Sequence, residues 1–299
     1  HNPILTSRDH PELHFQRSGH ADIVETQDRE WYMVHLCSRP SPVKKRSILG
    51  RETSIQKIVW DDEDGWFRLQ SGGRFPKEYV DAPDLKQVVW PKIPERDEFT
   101  DNKLSIIYQT LRQPLDESVL SLTERPGFLR LKGQYSLNSN FTQALVARRQ
   151  QAFRYRARTY MEFSPSTFQQ MAGIIALYDT ENYYYLHVTR DDELGICLKI
   201  ANCDEGNLSY GEEGTVQLNR NGVHLEIKVD YEELRYAYSF DGEQWQNIGT
   251  TYDASILSDE YGKVSHFTGA FIGICAQDLR GTNLAADFDY FEYREYPQD

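Results

Sequence analysis

Strict alternation of apolar and polar residues along several short segments is the feature that most constrains how this chain folds. In residues 153–163 every second side chain is apolar or small, and arginine or glutamate fills most positions between them. Residues 223–230 and 234–240 repeat the pattern, and an Asp241-Gly242 turn follows the second of these segments. A period of two residues is typical of a β-strand with one buried face. These segments therefore predict antiparallel strands joined by short turns.

Other segments of the same region favour the same architecture. Tyr183–Val188 and Ile196–Ile200 are apolar runs separated by the polar residues 191–195, which predicts a hairpin. Segments with a helical period are nearly absent, and we expect one short helical turn within residues 115–122. Many half-buried strands with short connections predict an antiparallel β-sandwich from about residue 99 onward.

The first part of the chain predicts two further hairpins. Residues 21–37 turn back at the polar residues 27–30, and residues 52–69 turn back at Asp64-Gly65. The aromatic residues of the second hairpin are expected to pack within the blade, with sugar-binding platforms as the alternative: Trp60, Trp66 and Phe67. Residues 38–50 are rich in proline, lysine and arginine and are expected to form an exposed connection.

A proline-rich stretch separates the two parts. Residues 72–99 contain four prolines and show no sustained period, which predicts a stiff, extended linker. We place the domain boundary near residue 95, so that residues 1–95 form the first domain and residues 96–299 the second. A chain of 299 residues is long enough for two domains with cores of their own.

Charge and cysteine content exclude several classes of protein. A net charge of −13 argues against nucleic acid and against an anionic membrane surface as partners. No stretch approaches the roughly 20 apolar residues of a membrane span. The four cysteines, Cys37, Cys197, Cys203 and Cys275, show no metal-ligand spacing and are expected to be buried free thiols. A bridge between Cys197 and Cys203 stays open as the alternative.

The start of the chain carries no signal peptide and no initiating methionine. Residues 1–7 resemble the middle of a domain, so we expect part of the first domain to lie on a preceding segment. The use of cysteine suits a reducing compartment, and a cytoplasmic location is expected.

Several motifs together resemble a known family. Residues 18–26 (SGHADIVET), 30–36 (EWYMVHL) and 49–60 (LGRETSIQKIVW) are similar to the last part of the catalytic domain of glycoside hydrolase family 43 β-xylosidases. Four later motifs resemble the accessory domain of the same enzymes: 141–149 (FTQALVARR), 166–174 (STFQQMAGI), 267–273 (FTGAFIG) and 286–293 (ADFDYFEY). The resemblance covers nearly the whole chain with its motifs in the right order.

This resemblance implies an all-β fold, with partial β-propeller blades followed by an antiparallel concanavalin-like β-sandwich. Residues 1–95 would form about one and a half final blades of a five-bladed propeller, and residues 96–299 the sandwich. The implied partner is an amino-terminal propeller segment. The implied activity is that of an exo-acting, inverting β-xylosidase, with α-arabinofuranosidase activity left open, which hydrolyses xylo-oligosaccharides and requires no cofactor.

The family's catalytic acid and base lie on earlier blades, so no catalytic carboxylate is expected in this chain. Asp22, Glu25 and Glu52 lie inside the motifs, but the family does not use them as acid or base. We expect them to hydrogen-bond to blade backbone and turns.

Three substrate-binding residues are implied by the motifs. His20 matches a histidine on the floor of the active-site pocket, and Arg51 matches an arginine that reaches the sugar subsites. Phe267 matches an aromatic residue that the sandwich extends to the pocket mouth, with Phe271 as the second choice. The structural alternatives are a histidine satisfied at a blade turn and an ion pair of Arg51 with Glu52 or a neighbouring residue.

A structural calcium ion is a further expectation. Sandwiches of this kind often hold Ca²⁺ between their first and last strands, and Asp97 or Asp101 together with Asp287 would supply oxygen ligands. The alternative is that these carboxylates are solvated at strand ends.

Two other functions stay open for the sandwich. It would serve as a carbohydrate-binding module if an aromatic platform lay on an exposed face. Otherwise it would shield one side of the propeller pocket and mediate contacts in a homo-oligomer.

Overall fold

A computed structural model describes residues 2–211, 214–264 and 266–297, which form a small amino-terminal sheet and a larger sandwich. The amino-terminal sheet is an antiparallel meander in which each strand pairs with the next. Its strands are β1 (Gln16–Glu25), β2 (Trp31–Ser38), β3 (Glu52–Asp61) and β4 (Trp66–Leu69). A four-stranded meander is the unit from which propeller blades are built.

The two predicted hairpins thus form one sheet. Within the described residues, the segment before Gln16 contributes no strand, so the expectation of one and a half blades is corrected to a single blade. The first strand also begins earlier than expected, and His20 lies within it. The pairing of β1 with β2 shifts on both sides of Gly19, which is the signature of a bulge.

Both faces of this blade leave apolar side chains exposed, since Ile23 and Trp60, on the same face as Met33 and Ile58, are 40% and 51% exposed. On one face Leu5 packs with Met33, Ile58 and Leu69 in a small buried cluster. On the other face four β-branched residues remain 37–49% exposed: Val24, Val34, Ile55 and Val59. We call this second surface the open face. A propeller blade normally buries such an apolar face against its neighbour.

The sandwich contains the remaining strands. In chain order these are β5 (Arg96–Asp97), β6 (Gln109–Thr110), β7 (Leu120–Ser121), β8 (Leu129–Lys132), β9 (Ala144–Arg149), β10 (Arg154–Glu162), β11 (Gln170–Leu177), β12 (Tyr183–Asp191), β13 (Gly195–Asp204), β14 (Asn207–Tyr210), β15 (Val216–Gln217), β16 (Gly222–Asp230), β17 (Glu233–Ser239), β18 (Trp245–Asp253), β19 (Phe271–Asp278) and β20 (Ala285–Glu295). A 3₁₀ turn at Ala254–Ile256 follows β18. The predicted helical turn is a hydrogen-bonded turn at residues 116–119, directly before β7.

Two antiparallel sheets enclose the main core. The first has the strand order β18-β17-β16-β10-β20-β8-β7, with β5 also paired to β20. The second has the order β14-β13-β12-β11-β19-β9-β6, with β15 paired to β13. The apolar positions of the alternating segments point into this core, including Tyr155, Met161, Leu225 and Tyr236. The predicted sandwich is therefore confirmed.

The polar positions of the same segments form cross-strand pairs on the outer face of the first sheet. Arg156 pairs with Glu292 at 2.7 Å, and Arg158 pairs with Glu226. Opposite charges on adjacent strands stabilise a sheet, which explains why arginines fill the polar positions of β10.

The linker runs back over the blade before it enters the sandwich. The Gln56 amide and the backbone of Lys77 exchange hydrogen bonds of 2.8 and 3.0 Å, and the Tyr32 hydroxyl donates to the Asp81 carbonyl. The first strand that joins the sandwich is β5, at Arg96.

The connection between β2 and β3 differs from the prediction. Residues 38–50 were expected to be exposed, but Ser41, Ser47, Ile48 and Leu49 are buried. Ile48 is fully buried within the main core of the sandwich, although it belongs to the blade. This segment, which we call the docking loop, therefore joins the two domains.

Polar contacts reinforce the docking loop. The Glu260 carboxylate accepts hydrogen bonds from the Ser47 backbone and hydroxyl, at 2.6 and 2.8 Å. The Glu232 carboxylate accepts from the backbone of Val43 and Lys44, and the Lys44 ammonium pairs with Asp253. These contacts explain why the docking loop packs against the sandwich although it contains lysines.

Two further findings concern the cysteines and the possibility of a membrane-spanning helix. All four cysteines are buried and free, which confirms the expectation and excludes the Cys197–Cys203 bridge. No helix of the described residues is both long enough and apolar enough to cross a membrane.

Candidate functional site

The junction between blade and sandwich brings Arg51 and Phe267 together. The Cζ atom of Arg51, just before β3, lies 3.7 Å from the centroid of the Phe267 ring. Phe267 is 48% exposed and has a left-handed backbone, with φ of 61°. It therefore projects from the sandwich instead of packing inside it, and its ring and the guanidinium form a cation–π pair. Residues from two domains meet at one surface here.

Arg51 keeps part of its hydrogen-bonding capacity unused. Its Nε is buried, and among the described residues it has no hydrogen-bond partner. The ion pair that was the structural alternative forms elsewhere, because Glu52 is held by Arg39 through contacts of 2.7–3.2 Å. A buried donor without a partner is costly, and no contact within the described residues offsets this cost at Arg51 Nε.

The backbone on both sides of this pair is tightly packed. Gly50 and Gly269 both have positive φ values, of 68° and 71°. A Cβ atom on Gly269 would lie 2.5 Å from the carbonyl carbon of Leu49, so a larger residue would push the two chains apart. The Ala270 amide donates to the Ile48 carbonyl at 2.8 Å, and Arg149 donates to the Leu49 carbonyl at 3.1 Å.

A chain of hydrogen bonds fixes the start of the loop that carries Phe267. The His266 amide donates to the Tyr178 hydroxyl at 2.8 Å, and this hydroxyl donates to Asp259 at 2.8 Å. The other oxygen of Asp259 pairs with Arg17 of β1 at 3.3 Å. Burial, reinforced by the Asp259 carboxylate, raises the pKa of Tyr178, which keeps its hydroxyl protonated as a donor. The blade strand that carries His20 is thereby tied to the Phe267 loop.

His20 lies on the exposed side of β1, at the bulge, with φ of 49°. Among the described residues its imidazole makes no hydrogen bond, so it is not a histidine satisfied at a turn. His20 and Arg51 lie two strands apart in the sheet and about three residues apart along the strand direction. Ordinary β-sheet spacings then put their Cα atoms roughly 14 Å apart. The structure therefore puts both residues toward one end of the sheet but does not bring them into contact.

Phe271, the second choice for the pocket aromatic, has a different environment. It lies in β19, pairs with Arg149 and Leu177, and packs against an apolar cluster of the second sheet. The geometry therefore favours Phe267 over Phe271 as the aromatic residue that leaves the sandwich.

The predicted calcium ligands are not brought together within the described residues. The Asp287 carboxylate is held by Arg125 and Arg130 at 2.7–2.9 Å. Burial of Asp287 opposes its ionisation, but the two guanidinium groups outweigh this effect and lower its pKa. Asp97 pairs with Phe291, which lies four residues, or roughly 13 Å, along β20 from Asp287. The Asp97 carboxylate accepts a hydrogen bond from the Phe99 amide.

These residues do not fit a shared Ca²⁺ site. Two arginines occupy the oxygen atoms that a cation would need, and Asp101, on the exposed loop after β5, adds no second buried ligand. No group of three potential metal ligands occurs among residues 2–211, 214–264 and 266–297.

The carboxylates of the blade motifs are either exposed or paired with an arginine. Asp22 and Glu25 are exposed on the edge strand β1, and Glu52 is paired with Arg39 as described. Nothing in this geometry places two of them on opposite sides of a substrate pocket.

Sequence reasoning missed the residues that hold the site together. Arg17, Tyr178 and Asp259 belong to none of the motifs, and the docking loop was expected to be exposed. The only local signal is the glycine beside Arg51 and the glycine two residues after Phe267, which allow close approach of backbones.

Comparisons with known proteins agree with this architecture. Residues 96–294 match the family described as "Beta xylosidase C-terminal Concanavalin A-like domain", and residues 1–67 match "Glycosyl hydrolases family 43". A β-xylosidase of Bacillus subtilis (strain 168) is 42% identical over 98% of this chain, and a xylan 1,3-β-xylosidase of a Vibrio species is 42% identical over 99%. The chain spans 57% of the length of each of these relatives.

A solved structure shows the same fold. The crystal structure of a xylan β-1,4-xylosidase from Bacillus halodurans C-125 superposes with a TM-score of 0.95 and 45% identity. The superposition covers 98% of this chain and 56% of that protein.

Proposed function

The chain belongs to glycoside hydrolase family 43, and from that membership we propose that it is part of an exo-acting, inverting β-xylosidase. The proposed substrates are xylo-oligosaccharides, from which one terminal sugar is released in each reaction. The observation that carries this proposal is the Arg51–Phe267 pair, in which a buried guanidinium donor and a half-exposed ring meet at the domain junction. Sugars are commonly bound by such a combination of hydrogen-bond donor and apolar surface.

In this proposal the chain binds and orients the sugar, and the preceding blades supply the acid and base. Inversion requires two carboxyl groups roughly 6.5–9.5 Å apart, with a water molecule between the base and the sugar. Arg51 would donate to sugar hydroxyls, and Phe267 would form the wall of the outer subsite. His20 would face the same pocket from the exposed side of β1. We propose that this hydrolysis requires no cofactor.

The open face of the blade supports a propeller partner. Val24, Val34, Ile55 and Val59 form an apolar surface across three strands, and soluble proteins rarely leave such surfaces bare. An amino-terminal propeller segment would cover this face with its own blade.

A carbohydrate-binding module without catalysis is the second candidate. It would require an aromatic platform on an exposed sheet face. On the outer face of the first sheet, Arg158 covers Trp245 at 4.0 Å and Arg96 covers Tyr290 at 3.6 Å. These rings are already occupied by guanidinium groups, which disfavours a platform on that sheet.

The test is stereochemical and uses the complete protein that contains this chain. Hydrolysis of an aryl β-D-xyloside, followed by ¹H NMR, should give α-xylose as the first product, and the rate on an aryl α-L-arabinofuranoside measures the alternative specificity. Arg51→Ala should lower kcat/KM, whereas Arg8→Ala, which removes an 87% exposed arginine of the same domain, should not. Release of β-xylose first, or no hydrolysis of either substrate, would refute the proposal.

A further inference from the structure

A cavity of about 290 Å³ lies on the outer face of the second sheet, beside the loop that carries Phe267. Leu145, Leu177 and Phe271 form its apolar floor. They alternate along their strands with residues of the main core, and therefore face away from it. His266 and Asp179 contribute to its polar rim.

The cavity exists because the outer face of this sheet is apolar and only partly covered. Leu137, in the loop between β8 and β9, packs on this face against an apolar cluster that includes Tyr183 and Tyr185. The Gln277 side chain accepts from the Leu137 amide at 3.1 Å, and the Tyr183 hydroxyl donates to the Asn138 side chain at 3.2 Å. These bonds hold the loop over one part of the face, and the cavity is the part that it leaves open.

The polar rim is held in place before any ligand binds. One oxygen of Asp179 accepts from the Glu181 amide at 2.8 Å and from the Asn182 side chain at 3.1 Å. The other oxygen lies 3.1 Å from Nε2 of His266, whose ring packs against Tyr178. The Asp179 side chain is only 16% exposed, whereas that of His266 is 44% exposed. The imidazole is therefore the part of this pair that a ligand reaches first.

We propose that this cavity is a second sugar-binding site, which takes one pentopyranose unit of a xylo-oligosaccharide. The Phe271 ring would face the C–H surface of the sugar, and His266 and Asp179 would exchange hydrogen bonds with its hydroxyl groups. A pyranose has an apolar surface and hydroxyls that both donate and accept, which matches an apolar floor below an imidazole–carboxylate rim. The choice of xylose rests on the proposed function.

The position of the site gives it a role beside the junction. His266 and Thr268 line the cavity, while Phe267, between them, contacts Arg51 of the blade. One loop therefore contributes to both the cavity and the domain junction. A sugar unit bound in the cavity would keep the rest of the oligosaccharide close to the junction.

The test is binding of xylotriose to the 299-residue chain, measured by calorimetry and by NMR titration. This chain is expected to lack the acid and base, so the ligand is not consumed. We expect saturable binding, weakened about tenfold in Phe271→Leu, which keeps apolar volume but removes the ring. His266→Ala should weaken binding several-fold without unfolding the chain, because this side chain is exposed. Phe168→Ala, which removes a 63% exposed ring of the sandwich that does not line the cavity, is the matched control and should bind like the parent chain.

Absence of saturable binding, or equal affinity of the parent, Phe271→Leu and His266→Ala chains, would overturn the site. If Phe271→Leu fails to fold, the His266→Ala comparison decides alone. Hydrolysis by the complete protein is measured separately, so loss of this site leaves the proposed function standing. Binding without any hydrolysis by the complete protein would instead refute the proposed function and leave the site.

Discussion

Replacement of Ile48 by alanine should destabilise the sandwich, although Ile48 belongs to the blade. The residue is fully buried within the main core, and its carbonyl accepts from the Ala270 amide. The change removes three carbon atoms, worth about 0.8 kcal/mol each by transfer, and leaves a cavity behind. Since substitutions of this kind cost about 2–5 kcal/mol, we expect a loss near 3 kcal/mol.

The measurement is thermal and urea unfolding of the 299-residue chain. A loss of about 3 kcal/mol lowers the Tm of a domain of this size by about 6–12 °C. The matched control is Val43→Ala in the same docking loop, where the side chain is 77% exposed and the change should stay within about 0.5 kcal/mol. If Ile48→Ala unfolds like Val43→Ala, the docking loop does not contribute to the sandwich core and this account of the interface is wrong.

Two other predictions concern activity and pH. The purified 299-residue chain should not hydrolyse an aryl β-xyloside, because its blade carboxylates are not placed as an acid and a base; hydrolysis that Asp22→Asn or Glu52→Gln abolishes would contradict this. The docking loop should loosen in acid. Burial of Glu232 and Asp253 opposes their ionisation. Contacts from the docking loop, joined at Asp253 by hydrogen bonds from Ser255, outweigh burial and lower each pKa from ordinary values of 4.5 and 3.8. Their stabilisation is therefore complete above about pH 5 and is lost as the pH falls below about 4. Limited proteolysis across this range should show earlier cleavage in acid, with a smaller pH effect in Glu232→Gln; an unchanged profile would count against the carboxylates.

The strands were predictable where their pattern is local. In β10 and β16 the side-chain period alone shows which residues face the core, because each neighbour along the strand points to the opposite face. The same reasoning failed for the docking loop. Its prolines and lysines suggest exposure, but its burial depends on Glu232 and Glu260, which lie roughly 190–210 positions later in the chain.

In the candidate site, too, the contacts between residues distant in sequence could not be predicted from local patterns. Arg51 and Phe267 were suggested by family resemblance, and nothing in the alternation of residues indicates that they touch. The link from Arg17 to Asp259 spans 242 positions, so no local pattern reveals it. Asp287 lies on a polar position of its strand, but its partners, Arg125 and Arg130, decide its role, and the sequence alone does not show them.

The most direct test of the central claim is a double-mutant cycle on Arg51 and Phe267 in the complete enzyme. Arg51→Ala should raise the barrier measured by kcat/KM by roughly 2–4 kcal/mol, as for a lost charged contact to substrate. Phe267→Ala should cost less and act mainly on substrate binding. Because the guanidinium stacks on the ring, the double variant should lose about 1 kcal/mol less than the sum of the single changes. Full catalytic efficiency in Arg51→Ala, or strict additivity of the two changes, would contradict a shared substrate site at the domain junction.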